Sequence, residues 1–325
     1  MKTNLIMTLI LFLMMISVPL VTLADSEENK STTAPKETTA AEESTEREAE
    51  APSTTQKTET LTVSADGKVT EMSAEDYVYG AVCAEMPASF HKEALKAQAV
   101  ASYTYVKWLT ENADNPTDIS DNSEIHQAFI TEEELREKWG NSYSIYSQKV
   151  REAVESVMYE YLAYNGETAM TVFHGLSPGK TVSASDVWGN DVPYLKAVTA
   201  PGDKLSPDIT SEVKLSKKEF VKPFSESEED FDAAFKGIKK NDDGFVKEIT
   251  FNKKNLSSTE LRSAYGLKSP YFTAEKTKDG IKLTVYGKGH GVGMSQYSAD
   301  YMARQGSSYE EILTHFYSGT KLISE

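Results

Sequence analysis

The amino-acid sequence predicts an α+β fold, and the order of its local signals is what predicts it. Helix-start signatures crowd the stretch from Ser73 to Met158. Hairpin signatures follow at Asn165-Gly166 and Asp279-Gly280, and helix signatures return after Ser295. No run of strands alternating with helices suggests a parallel doubly wound sheet. We expect one large domain of mixed helices and β-hairpins over residues 61–325.

Taken in order, Ser73 is placed to cap a helix through Asp76, with Tyr77, Val78, Ala81 and Val82 on its apolar face. Met86-Pro87 ends it, because proline drives the residue before it out of the helical region. Ser89 is expected to cap a second helix through Leu95, Ala99, Ser102 and Val106. Thr131 and Glu134 form a capping box for a third, and a longer fourth spans Ser144 to Met158. Tyr161–Tyr164 and Thr168–Phe173 flank Asn165-Gly166, a dipeptide that accepts the left-handed turn of a tight hairpin. Tyr271–Thr273 pairs plausibly with Ile281–Tyr286 across Asp279-Gly280. Two short helices close the chain, one capped by Ser295 and stopped by Gly306, the other started by Ser308 with Glu311 and stopped by Gly319.

Two segments precede this domain. Leu5 to Ala24 is apolar apart from Thr8, Ser17 and Thr22, follows Lys2, and ends in small residues. Residues 1–24 therefore read as a signal peptide or an N-terminal membrane anchor, since roughly 20 apolar residues span a bilayer. Residues 25–60 are a linker of mainly Thr, Glu, Ala, Ser and Lys, with ten acidic and four basic side chains. Such a composition buries too little apolar surface to offset its ordering entropy. The expected location is the cell membrane with an extracytoplasmic domain, or release to the cell wall.

The formal net charge of −16 excludes nucleic acid as a partner, because phosphate backbones need a positive surface. Cys83 is the only cysteine, so no intramolecular disulfide forms. No histidine stands three or four residues from another, and we expect neither metal nor cofactor.

Three segments carry candidate chemistry. In Gly80–Phe90, Glu85 ends an apolar helical face two residues before a proline. The partial negative charge of a helix end and partial burial both disfavour ionisation, as a general acid requires. A surface glutamate at a helix end is the alternative reading. In Gly287–Tyr297, four glycines surround His290 between a strand and a helix, either to let backbone approach a ligand or as a tight turn. The spacing is not that of a dinucleotide fingerprint. In Phe173–Thr181 and the Trp188 and Tyr194 stretches that follow, Ser, Gly, Trp and Tyr suit a sugar cleft or a packed loop; Gly175–Gly179-Lys-Thr is one residue short of a phosphate-binding loop.

Together these segments resemble the stage II sporulation protein D family, which includes enhancers of cell-wall amidases. The resemblance rests on Ala84–Phe90, Glu93–Ala101, Thr104-Tyr105, Asp186–Gly189, Pro193–Lys196, Thr259–Arg262 with Gly266-Leu267, and Gly289–Tyr297, in the family's order. It implies a lytic transglycosylase that cleaves MurNAc–GlcNAc bonds of peptide-free peptidoglycan strands to 1,6-anhydro products during sporulation engulfment. It implies Glu85 as the catalytic acid, with Lys96, Tyr194, Lys196, His290, Ser295, Gln296 and Tyr297 lining the cleft. It also implies a cell-wall amidase (stage II sporulation protein P) and a membrane protein (stage II sporulation protein M) as partners. The sequence departs from the family where Tyr103 replaces a frequent arginine, and where Ile125-His126-Gln127 lacks the cysteines of zinc-binding members. The alternative in another class is a non-catalytic peptidoglycan binder that activates an amidase.

Overall fold

A computed structural model describes residues 59–65, 68–112, 119–120 and 126–325. The expected export segment and all of the linker before Glu59 lie outside the described residues. Thr60, read as linker, is instead the first residue of a strand, Thr60–Ala65, paired antiparallel with Lys68–Ser73.

The fold is mixed α+β. Its centre is the helix Lys92–Asn112, which buries side chains on every face, from Leu95 and Val100 to Gln98, Ser102 and Thr104. A helix buried all round must be surrounded by other elements. Here the helices Ala74–Glu85, Tyr143–Glu155, Gln296–Arg304 and Tyr309–Phe316 surround it, with the strand Glu160–Tyr164. Alanines 94, 97, 99 and 101 keep the central helix slim enough for this crowding. Truncating the fully buried Leu95 to alanine would cost about 2–5 kcal/mol.

The cap signatures are realised where they are local. Ser73 Oγ accepts from the Asp76 amide, and Thr131 with Glu134 forms the expected box ahead of Glu132–Trp139. Met86 is extended (φ −118°, ψ 143°), as its place before Pro87 demands, so the helix stops at Glu85. The second helix differs from expectation. It begins at Lys92 rather than after Ser89, because the His91 ring Nδ1 accepts from the Glu93 amide and serves as the cap. The hairpin turn is as read, with Asn165 at φ 53° and Gly166 at φ 89°. Its second strand is only Glu167–Thr168. Phe173–His174 instead runs parallel to Met294–Ser295. The chain does not end in a helix either: Lys321–Ser324 pairs antiparallel with Glu160–Tyr164.

A second cluster of buried side chains lies between Val213 and Val285, built on Phe220, Phe231, Ile249, Leu261, Phe272 and Leu283. It is roofed by the sheet in which Gly280–Tyr286 pairs with both Phe272–Lys276 and Thr210–Ser216. The helix Ser258–Tyr265 sits on this cluster and carries Arg262 toward the main body. No helix among the described residues is long and apolar enough to cross a membrane.

Candidate active site

The end of the Ala74–Glu85 helix opens into a cavity of about 560 Å³. Three separated segments enclose it: Ala84–Ser89 with Gln127, the strand around Val172–Gly175, and Lys288–His290 with Gln296. Trp139, Tyr146, Tyr105 and Phe173 supply aromatic surface. Among the described residues that line it, Glu85 is the single carboxyl, whereas Lys138, Arg262, Lys268 and Lys288 are cationic.

Glu85 is fixed from two sides. The Ala128 amide donates to Oε1 at 2.9 Å, and Gln296 Nε2 donates to Oε2 at 3.1 Å. Gln296 is itself held, since Nε2 also reaches Gln98 Oε1 at 3.3 Å and Gln98 donates to Ser102 Oγ. Ala128 comes this close because residue 80 is glycine. A Cβ there would overlap the Phe129 ring and the Ile130 carbonyl. Burial raises the Glu85 carboxyl above its ordinary value of 4.5, against the opposing pull of the Ala128 amide, Gln296 and the Lys288 charge.

The loop after Pro87 is held equally firmly. Lys149 Nζ donates to the Ala88 and Phe90 carbonyls at 2.8 and 2.6 Å, and the His91 amide donates to Asp300 Oδ1 at 2.6 Å. Asp300 is bridged to Arg304, which donates to the Ser89 carbonyl.

His290 lines the cavity, but its ring nitrogens are used by backbone. Nδ1 accepts from the Val292 amide at 3.1 Å, and the ring donates to the Phe173 backbone. Burial, the neighbouring His174 ring and Arg262 push its pKa down to about 3, so it is neutral across the physiological range. His174, also lining the cavity, donates from Nδ1 to the Val292 carbonyl at 3.0 Å, and burial lowers it to about 4. Its Nε2 has no partner among the described residues, and neither has Gln127 Oε1 on the cavity wall. Each is an acceptor awaiting a donor. The glycines of this loop approach protein rather than open space. A Cβ on Gly293, at φ 71°, would overlap the Val172 carbonyl.

Of the residues expected in a cleft, the structure gathers Glu85, His290 and Gln296 around the cavity. The other five stand off its walls. Ser295 is fully buried and donates to Asp203 at 2.7 Å. Tyr297 meets Phe90 edge-on at 6.5 Å. The Tyr194 hydroxyl accepts from the Met170 amide at 2.7 Å. Lys196 is exposed. Lys96 pairs with Glu93 at 3.1 Å and lies over the Tyr309 ring. Trp188 packs in the core, 5.5 Å from the His290 ring. Tyr103, where the family often has arginine, is also away from the cavity: its hydroxyl donates to Glu59 at 2.8 Å. The Cys83 thiol is buried and pushed up to about 12 by that burial. No group of three His, Cys, Asp or Glu among the described residues could hold a metal ion.

Sequence reasoning missed three residues here. Asp203, fully buried, accepts from the Ser177 amide, the Ser177 hydroxyl and the Ser295 hydroxyl, and so ties the Ser177 turn to the Ser295 cap. Gln98 orients Gln296. Arg262 was visible only as part of a family-like string, and its arrival at the cavity is a matter of packing.

This is the geometry of a small-ligand site around one carboxyl, and comparison places it in a known class. A family model described as stage II sporulation protein matches residues 64–164, the stretch that contains Glu85. The stage II sporulation protein D of Bacillus subtilis (strain 168) is 34% identical over 262 residues, covering 79% of this chain and 76% of that protein. Its counterpart in Bacillus amyloliquefaciens is 33% identical over 258 residues, covering 78% and 75%. The chain belongs to the stage II sporulation protein D family. An amidase enhancer of Bacillus subtilis is 31% identical over 304 residues, covering 75% of this chain but only 40% of that longer protein.

Proposed function

We propose that the protein is a lytic transglycosylase that cleaves the MurNAc–GlcNAc bonds of peptide-free peptidoglycan strands. The observation that carries this reading is that, among the described residues, Glu85 is the lone carboxyl of a cavity otherwise lined by neutral and cationic side chains. Hydrolytic glycosidases place two carboxyl groups across the bond, one to protonate and one to activate water or attack. One carboxyl suffices when the nucleophile belongs to the substrate. Glu85 donates its proton to the glycosidic oxygen as the C1–O bond breaks. The carboxylate then takes the proton of the muramic acid 6-hydroxyl as that oxygen closes on C1, giving a 1,6-anhydro sugar with no water consumed. The raised carboxyl keeps the proton available for the first step.

The wider setting follows the same reading. Residues 1–24 hold the domain at the membrane or export it, residues 25–58 give it reach, and residues 59–325 meet the wall. Its partners are the glycan, a cell-wall amidase (stage II sporulation protein P) and a membrane protein (stage II sporulation protein M), acting during engulfment.

The test is Glu85→Gln on peptide-free strands, with mass spectrometry of products and circular dichroism of the variant. A loss of about 10²–10⁴-fold in release of 1,6-anhydro products from a folded variant supports the assignment. Activity within about tenfold of wild type removes it. The kinship with an amidase enhancer favours one second reading, a binder that activates an amidase. On that reading, amidase stimulation survives Glu85→Gln unchanged and no anhydro product forms in either protein.

A further inference from the structure

Arg262 is 5% exposed, donates from Nε to the Leu267 carbonyl at 3.2 Å, and forms no ion pair among the described residues. A buried guanidinium without a counter-charge is costly, because the water it gives up is replaced by nothing of opposite sign. Arg262 lines the cavity. Lys288 and Lys268 line the same wall without an ion pair among the described residues, and Lys288 is close enough to Glu85 for their charges to act on each other. Asp208 is the other acid acting on Lys288, and it is not among the residues lining the cavity. This concentration of cations is found in a chain whose formal net charge is −16. The same lining carries two acceptors without a partner among the described residues, Gln127 Oε1 and His174 Nε2.

A ligand matching this lining carries an anionic group together with N–H or O–H donors. Acetamido sugars supply the donors, and their flat faces suit Trp139 and Tyr146. The anion must lie within the same small cavity as the glycosidic oxygen that Glu85 protonates. We propose that Arg262, with Lys288 and Lys268, forms an anion subsite that reads the free lactyl carboxylate of a muramic acid residue. This rests on the peptidoglycan reading above and deepens it. A stem peptide converts that carboxylate to a neutral amide and adds bulk, so the subsite makes removal of the peptide a condition for productive binding. Arg262 does not touch the reacting atoms; it decides which muramic acid residues are accepted.

The experiment measures binding rather than cleavage, by calorimetry on the full chain carrying Glu85→Gln, with three tetrasaccharides. One is the peptide-free glycan with free lactyl carboxylates, one is the same glycan with those carboxylates converted to primary amides, and one is chitotetraose, which has none. The first should bind about tenfold or more tighter than the second, the worth of one charge-assisted hydrogen bond. Adding Arg262→Gln should abolish that preference while leaving chitotetraose affinity within about twofold. Arg262→Lys should restore part of it. If Arg262→Gln does not melt as wild type, Lys288→Gln decides by the same ratio. Equal affinity for carboxylate and amide in the parent protein, or a preference that survives both substitutions, overturns the subsite. Failure of all three sugars to bind overturns the peptidoglycan reading along with it.

Discussion

Gln296 Nε2 donates to Glu85 Oε2 at 3.1 Å across 211 residues of sequence. The contact joins the first residue of one helix to the last residue of another, and both helices pack on Lys92–Asn112. It sets the carboxyl's orientation and, by stabilising the charged form, limits how far burial raises its pKa.

Removing that donor should move the pH profile. Gln296→Ala leaves Glu85 with the Ala128 amide alone, so its pKa rises further. For a general acid the rate falls as pH climbs through that pKa. The basic limb of the cleavage profile should therefore shift to higher pH, because the lost bond favoured the charged form. The maximal rate should also drop, since Gln98 then has nothing to orient. A limb that stays in place means Gln296 does not act on the carboxyl.

Stability should respond to Glu85→Gln with a definite sign. A carboxyl raised in the folded state favours folding below its unfolded value of 4.5 and loses that contribution as pH rises through the folded value. The neutral amide has no such dependence. The variant should melt above wild type at pH 8, and the gap should close as the pH falls below the ordinary carboxyl value. Parallel melting curves at every pH would show that burial does not perturb the group.

The histidine pair predicts acid sensitivity. His174 and His290 are lowered from 6.5 to about 4 and about 3. The stability held by a lowered base is intact above its unfolded pKa and is lost as pH falls from there to the folded value. Urea unfolding should show wild type weakening between pH 6.5 and pH 4, and His290→Gln should flatten the decline. Identical slopes would place the acid-sensitive groups elsewhere.

Gly80 bears on catalysis from outside the cavity. Gly80→Ala forces Phe129 and Ile130 off the helix, and with them the Ala128 amide. Overpacking of this kind costs about 1–3 kcal/mol. Cleavage should fall further than the loss of folded protein explains, with the carboxyl's apparent pKa raised as in Gln296→Ala. A variant that is destabilised but unaltered in pH profile would make Gly80 a packing residue only.

The sequence was most legible where the physics is local. Ser73, Thr131, Ser295 and Ser308 announce helices because a cap needs only the next three residues. Ser89 misled because His91, two residues on, could cap as well, and the sequence does not rank them. The closing strand Lys321–Ser324 is four residues long, too short for a periodicity, and exists only because Glu160–Tyr164 offers an edge. The site was legible in part. A family-like string located Glu85, His290 and Gln296, but a string does not say which way a side chain faces. Ser295, Tyr194 and Lys96 stand in such strings and spend their polar atoms on Asp203, Met170 and Glu93. Asp203 and Arg262 went unnoticed because their partners lie far away in the chain or are backbone.

The contact between Glu85 and Gln296 also imposes a timetable. Synthesis from the N-terminus presents Glu85 well before Gln296, which lies 211 residues further along. Until that later stretch emerges, the carboxyl lacks its Gln296 partner and the central helix lacks two of its flanking helices. The surroundings of Glu85 are thus assembled from stretches made far apart in time, and on the proposed reading cutting waits for the later one, a safeguard written into topology.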